Sequence, residues 1–124
     1  MARIVVIVDD TDSVASSLAL AFESIPGVKP VVAHSSAEAL RLFTATDSEI
    51  SAIVTDFNLP FIDGFELIRQ IRNLAPYRNL PAIMISADDK AAQVGAAARY
   101  RPNAIFPKPC SLKEVSRVLE ELLA

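Results

Sequence analysis

Five short apolar runs, interleaved with segments of helical period, constrain this chain more than any other feature of its sequence. The runs fall at 4–8 (IVVIV), 30–33 (PVVA), 52–55 (AIVT), 82–85 (AIMI) and 104–106 (AIF). The first, third and fourth are continuous and rich in β-branched residues, which is how a strand reads when both faces of its sheet are covered. Between the runs, Val14, Leu18, Phe22 and Ile25 recur three or four apart, as do Ile68, Ile71 and Leu74, and then Leu112, Val115, Leu119 and Leu122. That spacing lines one face of a helix. Helix starts are marked as well. Ser35 with Glu38 and Ser111 with Glu114 fit the capping box, in which side chains satisfy backbone N–H groups that the first turn leaves without partners. Asp63, ahead of Gly64 and Glu66, reads as a third cap. Pro26-Gly27 closes the first helix with a turn, and the stretch 74–80, with Pro76 and Asn79, reads as a loop. Strand and helix alternate five times. Parallel strands need a crossover at each connection, so this order predicts a parallel sheet with helices on both faces.

Size and charge narrow the class. The 124 residues make one ordinary domain, expected to span 1–124, and 52% of them are hydrophobic, enough for a genuine core. The formal net charge is −3 with no block of Lys and Arg, a pattern that does not suggest nucleic-acid binding. Cys110 is the only cysteine, so no internal disulfide can form, as suits a reducing compartment. The apolar run 4–8 is stopped by Asp9 and Asp10, too soon for a signal peptide or a membrane span. A soluble, cytoplasmic domain is the expectation.

Ligands of an open parallel sheet bind outside the carboxyl ends of its strands. Asp9 and Asp10 follow the first strand, Asp56 ends the third, Ser86 ends the fourth and Lys108 follows the fifth. Each alone has an ordinary explanation as a cap, a turn residue or a solvated side chain. Five converging on one edge do not. Carboxylates gathered there repel, by roughly 4 kcal/mol for a pair at about 4 Å and an effective dielectric of about 20. Positive charge should therefore sit among them. Lys108 supplies one unit, and a hard divalent cation such as Mg²⁺, held by oxygens, would supply two. Together they would keep Asp56 ionised and nucleophilic and would offset charge on a phosphoryl group in transfer, with Ser86 donating to one of its oxygens.

With these residues in place, the chain resembles the receiver domain family of response regulators over essentially its whole length. The resemblance rests on four motifs in order: Asp9-Asp10 after the first strand, the stretch from Asp56 to Gly64 (DFNLPFIDG), Ser86-Ala87, and Lys108-Pro109. It implies a flavodoxin-like, doubly wound, five-stranded sheet of order 2-1-3-4-5 with five helices, and a cis peptide before Pro109. It also implies that Asp56 accepts a phosphoryl group from the phosphohistidine of a histidine kinase or a histidine phosphotransfer protein, in a two-component phosphorelay. By the same resemblance Asp10, Asp56 and the backbone carbonyl of Asn58 bind Mg²⁺ directly, Asp9 acts through a water, and Ser86 and Lys108 contact the phosphoryl oxygens. Such a domain is a signalling phosphoacceptor that catalyses only its own phosphorylation and dephosphorylation. The output partner is not legible.

Three departures from the family pattern stand out. Ile105 stands where an aromatic or His is usual, and Phe106, one place along, should point to the other face of the sheet. Arg101-Pro102 replaces a common Gly-Ala, and Cys110 replaces an aromatic. A helix is expected at about 89–100, rich in Ala and therefore weakly anchored, and with Ile105 beside it the expectation is that activation moves this helix. A phosphatase of the haloacid dehalogenase type would need a second Asp two residues after its nucleophile, where this chain has Asn58. A docking domain that needs no phosphorylation would have no use for three clustered carboxylates. A flavodoxin-like cofactor binder would not place Asp9 and Asp10 where a phosphate must sit.

Overall fold

The strands lie side by side and all parallel, in the order β2-β1-β3-β4-β5. They are β1 (Arg3–Val8), β2 (Val28–Ala33), β3 (Ile50–Asp56), β4 (Ala82–Ser86) and β5 (Ala104–Pro107). The computed structural model describes residues 2–45, 49–87 and 101–124. Among these are four helices: α1 (Asp12–Glu23), α2 (Ser36–Thr44), α3 (Gly64–Arg72) and α4 (Leu112–Leu123). The helix expected at 89–100 lies outside the described residues. No helix among the described residues is long and apolar enough to cross a membrane.

Alternation along each strand divides the core into two layers. Val6 and Val8 of β1, Ile53 of β3 and Met84 of β4 join Phe43 of α2 and Leu67, Ile68 and Ile71 of α3. On the opposite face Val5, Ile7, Val54, Ile83 and Ile85 join Leu18 and Phe22 of α1 and Val115 and Leu119 of α4. Among the described residues two helices cover each face, and the inner strands bury both sides, as their unbroken apolar runs require. Ile105 packs with the first layer and Phe106 with the second, the opposed orientation that strand alternation predicts.

All three expected caps form. The side chains of Ser35, Asp63 and Ser111 accept from the backbone N–H of Glu38, Glu66 and Glu114. Three details depart from the expectation. β2 begins at Val28 and carries Pro30 inside it, which its edge position tolerates because the missing N–H takes nothing from an inner ladder. The loop at 74–80 contains a short 3₁₀ turn, Ala75–Tyr77, whose Tyr77 is buried edge-on against Phe43. Leu112 does not join the buried face of α4; it is exposed at the helix start.

Candidate functional site

The reversal of strand order between β1 and β3 opens the crevice where a doubly wound sheet binds its ligands. Asp9 directly follows β1 and Asp56 is the last residue of β3. The two strands are paired, so the carboxylates are delivered to the same edge. Asp9 is only 2% exposed and Asp56 only 6%. The Oδ1 of Asp9 accepts the backbone N–H of Thr11 at 2.8 Å, a local turn that fixes the carboxylate before α1 begins. Asp56 Oδ1 accepts a longer bond, 3.4 Å, from the N–H of Asn58. Asp10 is exposed, yet one of its carboxylate oxygens lies within 4.8 Å of those of Asp9 and Asp56.

Lys108 reaches this cluster from two strands away. Its backbone N–H donates to the carbonyl of Ser86 at 2.9 Å, and the following bond to Pro109 is cis. The ammonium lies 3.3 Å from Asp9 Oδ2 and 3.2 Å from Asp56 Oδ2. Ser86 is buried at the end of β4, one residue beyond Ile85, the register partner of Asp56. The five polar residues expected at the strand ends are thus on one edge, with Lys108 between two of the carboxylates. Asn58 adjoins them through its backbone.

Burial raises the pKa of Asp56; the hydrogen bond and charge of Lys108 oppose that rise, and the charge of Asp9 adds to it, so the net shift is upward. Burial pulls Lys108 down, but its hydrogen bonds to Asp56 and Asp9 and their charges outweigh it and hold the ammonium above the ordinary lysine range. Three carboxylates facing one ammonium leave two negative charges unmatched within the cluster. Clustered hard oxygen donors with surplus negative charge form the donor set that suits a divalent cation.

Two residues between Asp56 and the first turn of α3 have structural roles that the sequence did not disclose. A Cβ placed on Gly64 would sit 2.6 Å from the carbonyl oxygen of Asp56, 2.9 Å from Met84 Cε and 3.1 Å from Phe57 Cα. Only glycine lets α3 start so close to the strand end that carries Asp56. Its N–H donates to the carbonyl of Phe57 at 2.8 Å, and Phe57 packs edge-on against Phe65 at 5.4 Å. The one available signal was a glycine inside a helix start, where Ala is the better helix former. The second residue is Phe61. It has φ +75°, and the N–H of Ile62 donates to the carbonyl of Pro60 at 2.9 Å. That is a γ-turn of the rarer, strained sign, with the ring fully exposed at its tip.

Comparison with known proteins gives one consistent picture. The family model for the response regulator receiver domain matches residues 5–120. A chemotaxis protein CheY homolog of Campylobacter jejuni is 29% identical over 86 residues, which are 69% of this chain and 65% of that protein. The response regulator MprA of Mycobacterium ulcerans is 29% identical over 119 residues, 96% of this chain and 49% of that protein. The chain therefore spans about two thirds or half of the length of these relatives. Among solved structures, a putative response regulator from Chloroflexus aurantiacus superposes with a TM-score of 0.86 at 29% identity, covering 99% of this chain and 98% of that one.

Proposed function

The chain belongs to the response regulator receiver domain family, and on that premise we propose that 1–124 form one receiver unit of a two-component phosphorelay in which Asp56 takes the phosphoryl group. The observation that carries this reading is the Asp56 carboxylate itself. It ends β3, pairs with Lys108 at 3.2 Å, and shares its edge with Asp9 and Asp10. Attack by an Asp56 oxygen on the phosphorus of a phosphohistidine forms the P–O bond of an acyl phosphate as the P–N bond breaks. The imidazole nitrogen leaves with the bonding electron pair. Lys108, which now bridges Asp9 and Asp56, turns its ammonium to a phosphoryl oxygen, and the Ser86 hydroxyl donates to another. Fixed donors of this kind stabilise charge where it develops. Mg²⁺, held by Asp10, Asp56 and the Asn58 carbonyl, with Asp9 acting through a water, would supply the remaining positive charge.

In this reading the domain acts on no turned-over substrate beyond its own aspartyl phosphate. Its donor is a histidine kinase or histidine phosphotransfer protein in the cytoplasm, its output is through another protein, and neither nucleic acid nor membrane contacts this unit. The test is labelling with a small-molecule phosphodonor. Wild type with Mg²⁺ should take up one phosphoryl group, while chelation of the metal or Asp56→Asn should abolish uptake. Undiminished labelling of Asp56→Asn overturns the reading.

A further inference from the structure

The end of the sheet opposite Asp56 has a second concentration of charge, of the other sign. A cavity of about 630 Å³ opens there between the end of α3, the turn that follows it and the segment leading into β5. Arg72, Arg78 and Arg101 line it, with Asn79, Asn103 and Ile105, and no Asp or Glu is among the lining residues. In a chain of net charge −3, three guanidinium groups around one cavity without a carboxylate is an uneven distribution.

Arg72 shows that this charge is not neutralised locally. Its Nε and Nη2 donate to the carbonyl of Leu80 at 3.2 and 2.8 Å. Its Nη1 donates to the carbonyl of Arg101 at 2.7 Å, and Nη2 also to Asn103 Oδ1 at 2.9 Å. All of these partners are neutral. The residue is half-buried, and burial lowers its pKa, the mark of a charge that has lost solvent without gaining a counter-ion. The end of α3 offsets part of it, since a helix C-terminus carries about half a negative charge. Arg78 and Arg101 lie beyond that helix, and neither forms an ion pair among the described residues. A charge withdrawn from solvent ordinarily finds a partner. The described residues give Arg72 none of opposite charge, and the cavity it lines is where one fits.

We propose that this cavity binds a small polyanionic phosphate, carried as a diphosphate group, either as free pyrophosphate or as the tail of a nucleoside diphosphate. The exposed guanidinium forks of Arg78 and Arg101 match phosphate oxygens two at a time, and with the charge of Arg72 and its one remaining N–H they suit a group bearing about three negative charges. Asn79 and Asn103 contribute amides to the lining, and Ile105 an apolar wall that would face the rest of a larger ligand. The volume lies within the range of about 300–1,000 Å³ usual for small-molecule sites. Arg72 acts as the fixed member, held by four hydrogen bonds, while Arg78 and Arg101 are exposed and close on the ligand. The site is independent of phosphoryl acceptance, which takes place at the other end of the strands.

Titration of inorganic pyrophosphate, ADP and citrate into metal-free protein, followed by backbone amide NMR, tests this. Saturable shifts at Asn79, Asn103 and Ile105 are expected with pyrophosphate or ADP; tighter binding of ADP identifies a nucleotide, and tighter binding of pyrophosphate the free anion. The double variant Arg78→Ala/Arg101→Ala, which removes no described side-chain hydrogen bond, should fold and bind at least about tenfold more weakly. Asp56→Asn should bind as wild type. Equal binding of citrate, shifts confined to Asp9 and Asp56, unchanged affinity of the double variant, or no saturable binding would each overturn the proposal.

Discussion

Gly64→Ala is the substitution that most sharply tests how the fold positions Asp56. In isolation the change should help, because Ala is favoured over Gly in a helix by about 1 kcal/mol, and by less in the first turn. The structure reverses that sign. The new methyl would lie 2.6 Å from the Asp56 carbonyl oxygen and 3.1 Å from Phe57 Cα. Both are backbone atoms that cannot rotate aside; only the third neighbour, Met84 Cε at 2.9 Å, is a flexible side-chain end. The same carbonyl accepts the Thr55 hydroxyl at 3.0 Å, so backing it away strains a second contact. Overpacking of this kind costs about 1–3 kcal/mol. After a helix gain of about 0.5 kcal/mol in the first turn is set against it, a net loss of about 1.5 kcal/mol is expected. For a domain of this length that is roughly 6 °C in Tm, taking about 4 °C per kcal/mol. Thermal unfolding followed by circular dichroism measures it, and phosphoryl uptake should slow in parallel because Asp56 moves with its carbonyl. A Tm equal to or above that of wild type would refute the reasoning.

Further outcomes follow from the geometry. Asp10→Ala should weaken Mg²⁺ binding more than Asp9→Ala, since both Asp9 oxygens are already engaged by Thr11 and Lys108; isothermal titration that finds equal or reversed losses would refute the assignment. Asp56 has a folded-state pKa above its ordinary value, so the folded protein holds this proton more tightly than the unfolded chain does. Its contribution to stability is full at low pH and is lost as pH rises through the folded-state pKa. Metal-free Asp56→Asn should therefore unfold at a higher temperature than wild type at neutral pH, and the gap should narrow as the pH falls; a gap that widens on acidification contradicts this. Phe61→Gly should stabilise the domain by up to about 1 kcal/mol, because Gly adopts a positive φ freely whereas a strained backbone position costs other residues about 1–3 kcal/mol. Chemical denaturation showing a loss instead would mean that the exposed ring makes a contact in solution.

What the sequence disclosed depended on how local the cause was. β1, β3 and β4 were legible because burial on both faces writes a continuous apolar run, and the caps at Ser35, Asp63 and Ser111 because each bond spans only three residues. β2 was partly hidden, since an edge strand admits Pro30 and needs no unbroken run. The turn at Ala75–Tyr77 was missed because its anchor, the packing of Tyr77 on Phe43, joins distant segments. Leu112 fits the helical period of its neighbours, yet the period does not say where the buried face ends. The acidic edge could be assembled only by placing each residue at a strand end. Its charge balance, with Lys108 between Asp9 and Asp56, is a tertiary fact. So is the need for Gly64, which arises from a carbonyl eight residues earlier rather than from its own backbone angles.

The most direct test of the central claim is to find the residue that carries the phosphoryl group. Protein treated with a small-molecule phosphodonor and Mg²⁺ can be reduced with borohydride, which converts an aspartyl phosphate to homoserine, and then digested and sequenced by mass spectrometry. The account predicts homoserine at Asp56 alone, with Asp9 and Asp10 unmodified. Homoserine at Asp9 or Asp10, or none at any position in protein that has taken up phosphate, would contradict it.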